Sequence, residues 1–197
     1  MQTKYSYWVF REALSAKDRN KVKRIAKQSG YMDAAVKDKS GNPHKNKDVR
    51  NSNAAFSDDP YLYDLLCPFV HIANDSAGWK YDLDWFESVQ ISKYKKNQHY
   101  SWHRDGAGDH FGVYNSNNRS GGKVRKVSLV ACLSNGYVGG DLELALQEQE
   151  KENEVLYPEM KVGDVIVFPS YVFHRSTSIS KGTKYSAAMW CLGPPFR

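Results

Sequence analysis

The chain has 197 residues, 41% of them hydrophobic and 25% charged, an ordinary balance for a soluble globular protein long enough to bury a sizeable core. No apolar run approaches the roughly 20 residues needed to cross a bilayer, and the opening stretch MQTKYSYWVFREALS has neither the apolar run nor the small-residue cleavage site of a secretory leader, so a cytoplasmic location without membrane attachment is expected. The net charge of +6 admits an acidic or nucleic-acid partner, but the runs KDRNKVKRIAK and KDKSGNPHKNKDVR are not interleaved with aromatics as a base-stacking platform requires, and a solvated basic face is the simpler reading.

Residues 5–10 are dense in β-formers and read as a strand. A helix follows, with Ser15 as its cap, Asp18 completing a capping box, a narrow apolar face of Val22, Ile25 and Ala26, and Gly30 as the stop. Residues 37–55 are polar and contain Gly41-Asn42-Pro43, and are expected to be loop. A second helix starts at Pro60, after Asp58-Asp59, and carries Leu62, Leu65, Leu66, Phe69, Val70 and Ala73 at helical spacing, with His71 in or beside that face.

From about residue 81 the period becomes extended. YDLDWFESVQISKY, KVSLVACLS, GGDLELAL, GDVIVFPS, YVFHRSTSI and TKYSAAMWCL all read as strands, and KVSLVACLS lacks polar alternation, as expected for a strand covered on both faces. There is no repeated βα unit. The expected class is α+β in a single domain over 1–197, with a mostly antiparallel sheet or barrel supported by the N-terminal helices. The segment 106–124 is a long loop rich in glycine and asparagine, of the kind that borders functional sites. Cys67, Cys132 and Cys191 are odd in number and far apart, and are expected as reduced thiols, with Cys132 and Cys191 in the core.

The stretch YSWHRDGAGDHF holds the chemistry. In an extended segment residues i and i+2 share a face, so His103 and Asp105 point together and Arg104 points away. A third ligand must come from elsewhere, and His174, in a late strand, is the candidate among six histidines. Two histidines and one carboxylate suit the facial triad of a non-haem Fe(II) oxygenase, but equally a Zn²⁺ hydrolase, and the spacing alone does not separate either from polar surface histidines. Lys184 adds a second signal: it enters the apolar strand YSAAMWCLG, with Ser186 on the same face and the small Ala188 beyond, and a cation there would suit the far carboxylate of a 2-oxoglutarate cosubstrate.

From residue 49 to 191 these segments, RNSNAAF, QISKYKKNQHYSWHRD, RKVSLVACLS, GGDLEL and GDVIVFPSYVFHRSTSISKGTKYSAAMW, resemble the 2-oxoglutarate/Fe(II)-dependent oxygenases, specifically the prolyl 4-hydroxylase-like group with its PKHD-type hydroxylases. The resemblance implies a double-stranded β-helix, or jelly roll. It implies His103, Asp105 and His174 as iron ligands and catalytic centre, and Lys184, Tyr94 and Ser186 as cosubstrate contacts. Relatives often carry arginine at the Lys184 position, so a point-charge contact replaces a bidentate one. It further implies Fe(II) and 2-oxoglutarate as cofactors, ascorbate as reductant, and hydroxylation of an unactivated C–H, with a prolyl residue of a peptide or protein as the expected substrate. Arg125 matches a basic family position and is expected in a structural ion pair. Trp102 and Trp190 fall near the metal in sequence, and Tyr100 and Tyr114 are expected at the rim, against a proline ring. A nucleic-acid base or a small molecule is the alternative substrate, a zinc hydrolase or an inactive metal-binding jelly roll the alternative of another class. A monomer is expected.

Overall fold

A computed structural model describes residues 5–37, 43–106, 111–145 and 155–196. In chain order the elements are β1 (Trp8–Phe10), α1 (Ala16–Ser29), β2 (Met32–Asp33), β3 (Val36–Lys37), β4 (Pro43–His44), β5 (Arg50–Asn51), β6 (Asn53–Ser57), α2 (Pro60–Ser76), β7 (Trp85–Phe86), β8 (Val89–Tyr94) and β9 (His99–His103). Then follow β10 (Val124–Cys132), β11 (Val138–Gly139), β12 (Leu142–Ala145), β13 (Val155–Leu156), β14 (Val165–Pro169), β15 (Phe173–Ser176), β16 (Ile179–Lys181) and β17 (Lys184–Gly193).

The strands form a jelly roll. The major sheet runs β1-β14-β10-β17-β8-β6-β2, with β7 on β17, and the minor sheet runs β13-β12-β15-β9-β5. Every pairing among the described residues is antiparallel. Both helices serve the outer face of the major sheet. On α1 the capping box between Ser15 and Asp18 is formed, Gly30 closes the helix at φ +82°, and Val22, Ile25 and Ala26 are buried. On α2 the buried residues are Leu62, Leu66, Val70 and Ala73. They meet Val127, Leu129 and Ala131 of β10 and Ala187, Met189 and Cys191 of β17 in the principal apolar core. A smaller cluster of Leu142, Leu144, Ile166, Phe168 and Val172 lies elsewhere in the roll.

One expectation fails here. The polar stretch 37–55 is not simply loop: it contains β5, and β6 joins the major sheet between β2 and β8. The reason is that β6 buries only Ala54 and Ala55, side chains too small to register as an apolar run, while its pairing to β8 supplies the backbone hydrogen bonds. Residues 38–42, including Gly41 and Asn42, lie outside the described set, as do 107–110 of the long loop. His71 is exposed on α2 and makes an edge-on contact with Phe86. Among the described residues no helix is long and apolar enough to cross a membrane.

Candidate metal centre and cosubstrate pocket

Antiparallel pairing of β9 with β15 sets His103 directly opposite His174. Asp105, two residues past the end of β9, returns to the same point because its amide donates to the carbonyl of Ser170 at 3.0 Å. The result is one cluster of His103, Asp105 and His174, whose ligand atoms all lie within 4.8 Å of one another. His103 Nε2 stands 3.8 Å from Asp105 Oδ1, and His174 Nε2 stands 3.5 Å from Asp105 Oδ2. Each imidazole directs its Nδ1 to a carbonyl two residues back, His103 to Ser101 within β9 at 2.8 Å and His174 to Val172, just before β15, at 2.9 Å. Donation from Nδ1 fixes the tautomer that leaves both Nε2 lone pairs aimed at the cluster.

The charge state suits a cation. Burial, with the neighbouring His174, pushes His103 down to about 3, so it is neutral and able to ligate. Burial alone would raise Asp105, but the two imidazoles and Arg125 outweigh it and hold the carboxyl at about 2, ionised. Ser128 donates to Asp105 Oδ2 at 2.8 Å and is itself 2.9 Å from Ser170, and the nearby Trp190 side chain also favours the ionised carboxylate. Two imidazoles and one carboxylate, converging and buried, are a donor set that fits Fe(II) with positions left open.

The second predicted group assembles beside it on β17 and β8. Lys184 pairs across the ladder with Tyr94, and Ser186 with Ser92. Lys184 is buried, and its Nζ donates to Gly140 O at 2.5 Å and to Ser176 Oγ at 3.1 Å, with the Tyr94 ring centroid 5.6 Å away. Among the described residues it makes no ion pair. Burial pulls the ammonium down to about 8, with Cys132 and Asp141 acting in the other direction. A buried cation lacking a carboxylate fits the distal carboxylate of a dicarboxylic cosubstrate. Ser186 and Lys184 line a cavity of about 380 Å³ that also includes Cys132 and Tyr137.

A larger cavity of about 810 Å³ opens over His103 and Asp105. Its walls carry Val36, Val49, Phe56, Trp85 and Phe173, together with Arg50 and Arg125. Arg125 is the ion-pair residue expected, with Nε 2.5 Å from Glu87 Oε2, but it also reaches inward, its Nη1 3.9 Å from Asp105 Oδ1 and its guanidinium 4.1 Å from the Trp190 ring. Trp190 lines this cavity, whereas Trp102 stacks on Phe173 beneath the Arg175 guanidinium. The rim reading of Tyr114 is wrong: it is buried against Trp190 and Leu192, because the segment after residue 111 folds back on itself through Tyr114 and Lys123. Tyr100 lies deeper than a rim as well, stacked 3.6 Å from the His103 ring. Asp109 and His110 lie outside the described residues.

Sequence reasoning missed Arg50 and Ser128. Arg50 is buried, sits 4.6 Å from the Tyr100 ring centroid, and leaves Nη2 with no hydrogen-bond partner. It sits in a stretch read as loop, so only its place at the head of RNSNAAF marked it. Ser128 is one of many serines and carries no sequence signal.

The sequence profile of the 2OG-Fe(II) oxygenase superfamily matches residues 89–192, more than half of the chain. No curated protein matches it. Among solved structures, the viral collagen prolyl hydroxylase of Paramecium bursaria Chlorella virus-1, in its 2OG complex, is similar with a TM-score of 0.66 and 18% identity over 96% of this chain and 97% of that one. A Pseudomonas putida prolyl-4-hydroxylase gives 0.65 and 17% over 95% and 92%. A Trichoplax adhaerens prolyl hydroxylase, in complex with a hypoxia inducible factor oxygen degradation domain peptide fragment, gives 0.67 and 16% over 94% and 83%. At such identities these likenesses establish the jelly roll, while the profile match establishes the family: the chain belongs to the 2OG-Fe(II) oxygenase superfamily, as a 2-oxoglutarate-dependent dioxygenase of prolyl 4-hydroxylase-like fold.

Proposed function

We propose that this dioxygenase hydroxylates a prolyl residue within a peptide or protein, with His103, Asp105 and His174 holding Fe(II) and Lys184, Tyr94 and Ser186 holding 2-oxoglutarate. The observation that carries the substrate reading is Arg50: a buried guanidinium with an unpartnered Nη2 in the wall of the larger cavity. A buried donor without an acceptor is costly, and the carbonyl of an extended peptide supplies one. The apolar side chains Val36, Val49, Phe56 and Trp85 in the same cavity suit a proline ring and its neighbours, and its volume exceeds what a free amino acid fills.

When bound, Fe(II) and 2-oxoglutarate supply the oxidation, in which O₂ is consumed, the cosubstrate becomes succinate and CO₂, and hydroxyl replaces hydrogen on carbon. The protein's own groups position and shield. The two histidines present Nε2, Ser128 orients Asp105, and Lys184 offers its ammonium to the distal carboxylate. No protein group needs to act as a general base for this chemistry.

The test couples succinate release to mass detection of a +16 product over peptide, nucleotide and amino-acid pools, with ascorbate present. Hydroxyproline in a peptide is the expected product, and Arg50→Ala is expected to raise the peptide KM while leaving substrate-free succinate release unchanged. Oxidation of a base or a free metabolite alone would remove the prolyl reading and leave the iron and 2-oxoglutarate assignment standing.

A further inference from the structure

Lys184 is restrained from two sides by Gly140 and Ser176, neither of which the sequence reading gave a role. Its ammonium has three N–H donors, and two are taken, one by Gly140 O and one by Ser176 Oγ. Ser176 in turn donates to Gly140 O at 3.4 Å, so the three groups close a small ring. Ser176 is the last residue of β15, the strand that carries His174, whereas Lys184 opens β17. The ring therefore ties the cation to the strand of a metal ligand. The stem of the lysine is confined as well. Gly140 has φ +70°, and a Cβ there would fall 2.3 Å from Ile179 Cδ1 and 3.1 Å from Lys184 Cδ, so the backbone of residue 140 is packed directly against the methylenes.

A lysine on four single bonds would otherwise follow the carboxylate of any dicarboxylic acid of roughly suitable length. Here the head is fixed by Ser176 and the stem by Gly140, and one N–H remains for a ligand. We propose that Ser176 is a positioning and specificity-determining residue: by holding Lys184 against Gly140 it fixes how far the cation stands from the metal centre, and so selects the chain length of the 2-oxo diacid. The proposal rests on the reading of Lys184 as the cosubstrate anchor.

The experiment is calorimetric titration of the Mn(II)-loaded full chain with 2-oxoglutarate and with 2-oxoadipate, one methylene longer. Ser176→Ala is expected to weaken 2-oxoglutarate binding about tenfold, the scale of one hydrogen bond to a charged group, and 2-oxoadipate binding by about threefold or less, so that the preference narrows. Ser176→Thr, which keeps the hydroxyl, is expected to keep the wild-type ratio. An unchanged ratio in Ser176→Ala, with binding lost in Lys184→Ala, would overturn the role of Ser176 and leave the anchor intact. Undiminished binding in Lys184→Ala would overturn both. Loss of Mn(II) affinity in Ser176→Ala would trace the effect to a disturbed β15 and would also overturn the proposal.

Discussion

The two faces of the major sheet are built from the same strands and share almost nothing else. On the outer face β10 presents Val127, Leu129 and Ala131, β17 presents Ala187, Met189 and Cys191, and β8 presents Val89 and Ile91, all under the helices. On the inner face the same strands present Ser128 and Cys132, Lys184 and Ser186, and Gln90, Ser92 and Tyr94, nearly all equally buried. Burial is common to both, but the outer face is apolar packing on all three strands, whereas on the inner face apolar packing is concentrated on β14, where Ile166 and Phe168 meet the minor sheet. The inner face holds hydroxyls, an amide and a cation, a composition that costs stability unless partners or ligands satisfy it. The principal core is thus on one face and the candidate chemistry on the other, and substitutions separate them.

The largest effect is expected at the proposed metal ligands His103, Asp105 and His174. His174→Ala or Asp105→Ala removes one of the three proposed ligands, and turnover of 2-oxoglutarate in the presence of iron should fall by about a thousandfold or more, with the circular dichroism of the folded protein retained. Full activity in either variant would dissolve the distinction between the faces. Leu129→Ala on the outer face should do the converse. It should cost about 2–5 kcal/mol in urea unfolding through lost burial and a residual cavity, with metal affinity unchanged. Lys184→Ala should raise the 2-oxoglutarate KM about 10- to 100-fold with a smaller change in kcat, since a charge-assisted contact is lost in a buried pocket.

The pH dependence sharpens the same point. Burial brings Lys184 from its ordinary range to about 8, so in the free protein the ammonium is present below that pH and is lost as pH rises through it. Affinity for 2-oxoglutarate should therefore fall above about pH 8, and proton uptake should accompany binding there, because the carboxylate favours the charged form. Calorimetry in buffers of different ionisation enthalpy reads the uptake directly. Lys184→Arg, permanently charged, should flatten the profile. The smallest effect is expected for Ser128→Ala, which removes one hydrogen bond to Asp105 and should weaken metal binding about tenfold with the outer core untouched.

The outer face was the legible one. The apolar positions of α1 and α2, the capping box at Ser15 and the unbroken run of β10 follow from periodicity, because burial against helices imposes it. The triad was legible only through an ordered set of motifs: HxD and one remote histidine are common, and what joins them is the β9–β15 register, which no local signal encodes. Lys184 stood out because a cation in an apolar strand is anomalous. Arg50, Ser128 and Ser176 did not, since an arginine or a serine in a polar stretch looks like surface until the sheets close over it. Tyr114 erred the other way, an aromatic in a polar loop being indistinguishable from a core anchor when the loop's own hydrogen bonds are unknown.

The two imidazoles and the carboxylate differ in how they can change. Both histidines take their orientation from a main-chain carbonyl two residues back, at Ser101 and Val172, an acceptor that survives any substitution there short of one that breaks the strand. The Asp105 carboxylate takes its orientation from a side chain, the hydroxyl of Ser128. Sequence drift therefore cannot easily re-aim the nitrogens, but a single replacement at 128 frees the oxygen. In a lineage of such chains, the carboxylate is the member of the proposed ligand set whose aim a side-chain substitution can change.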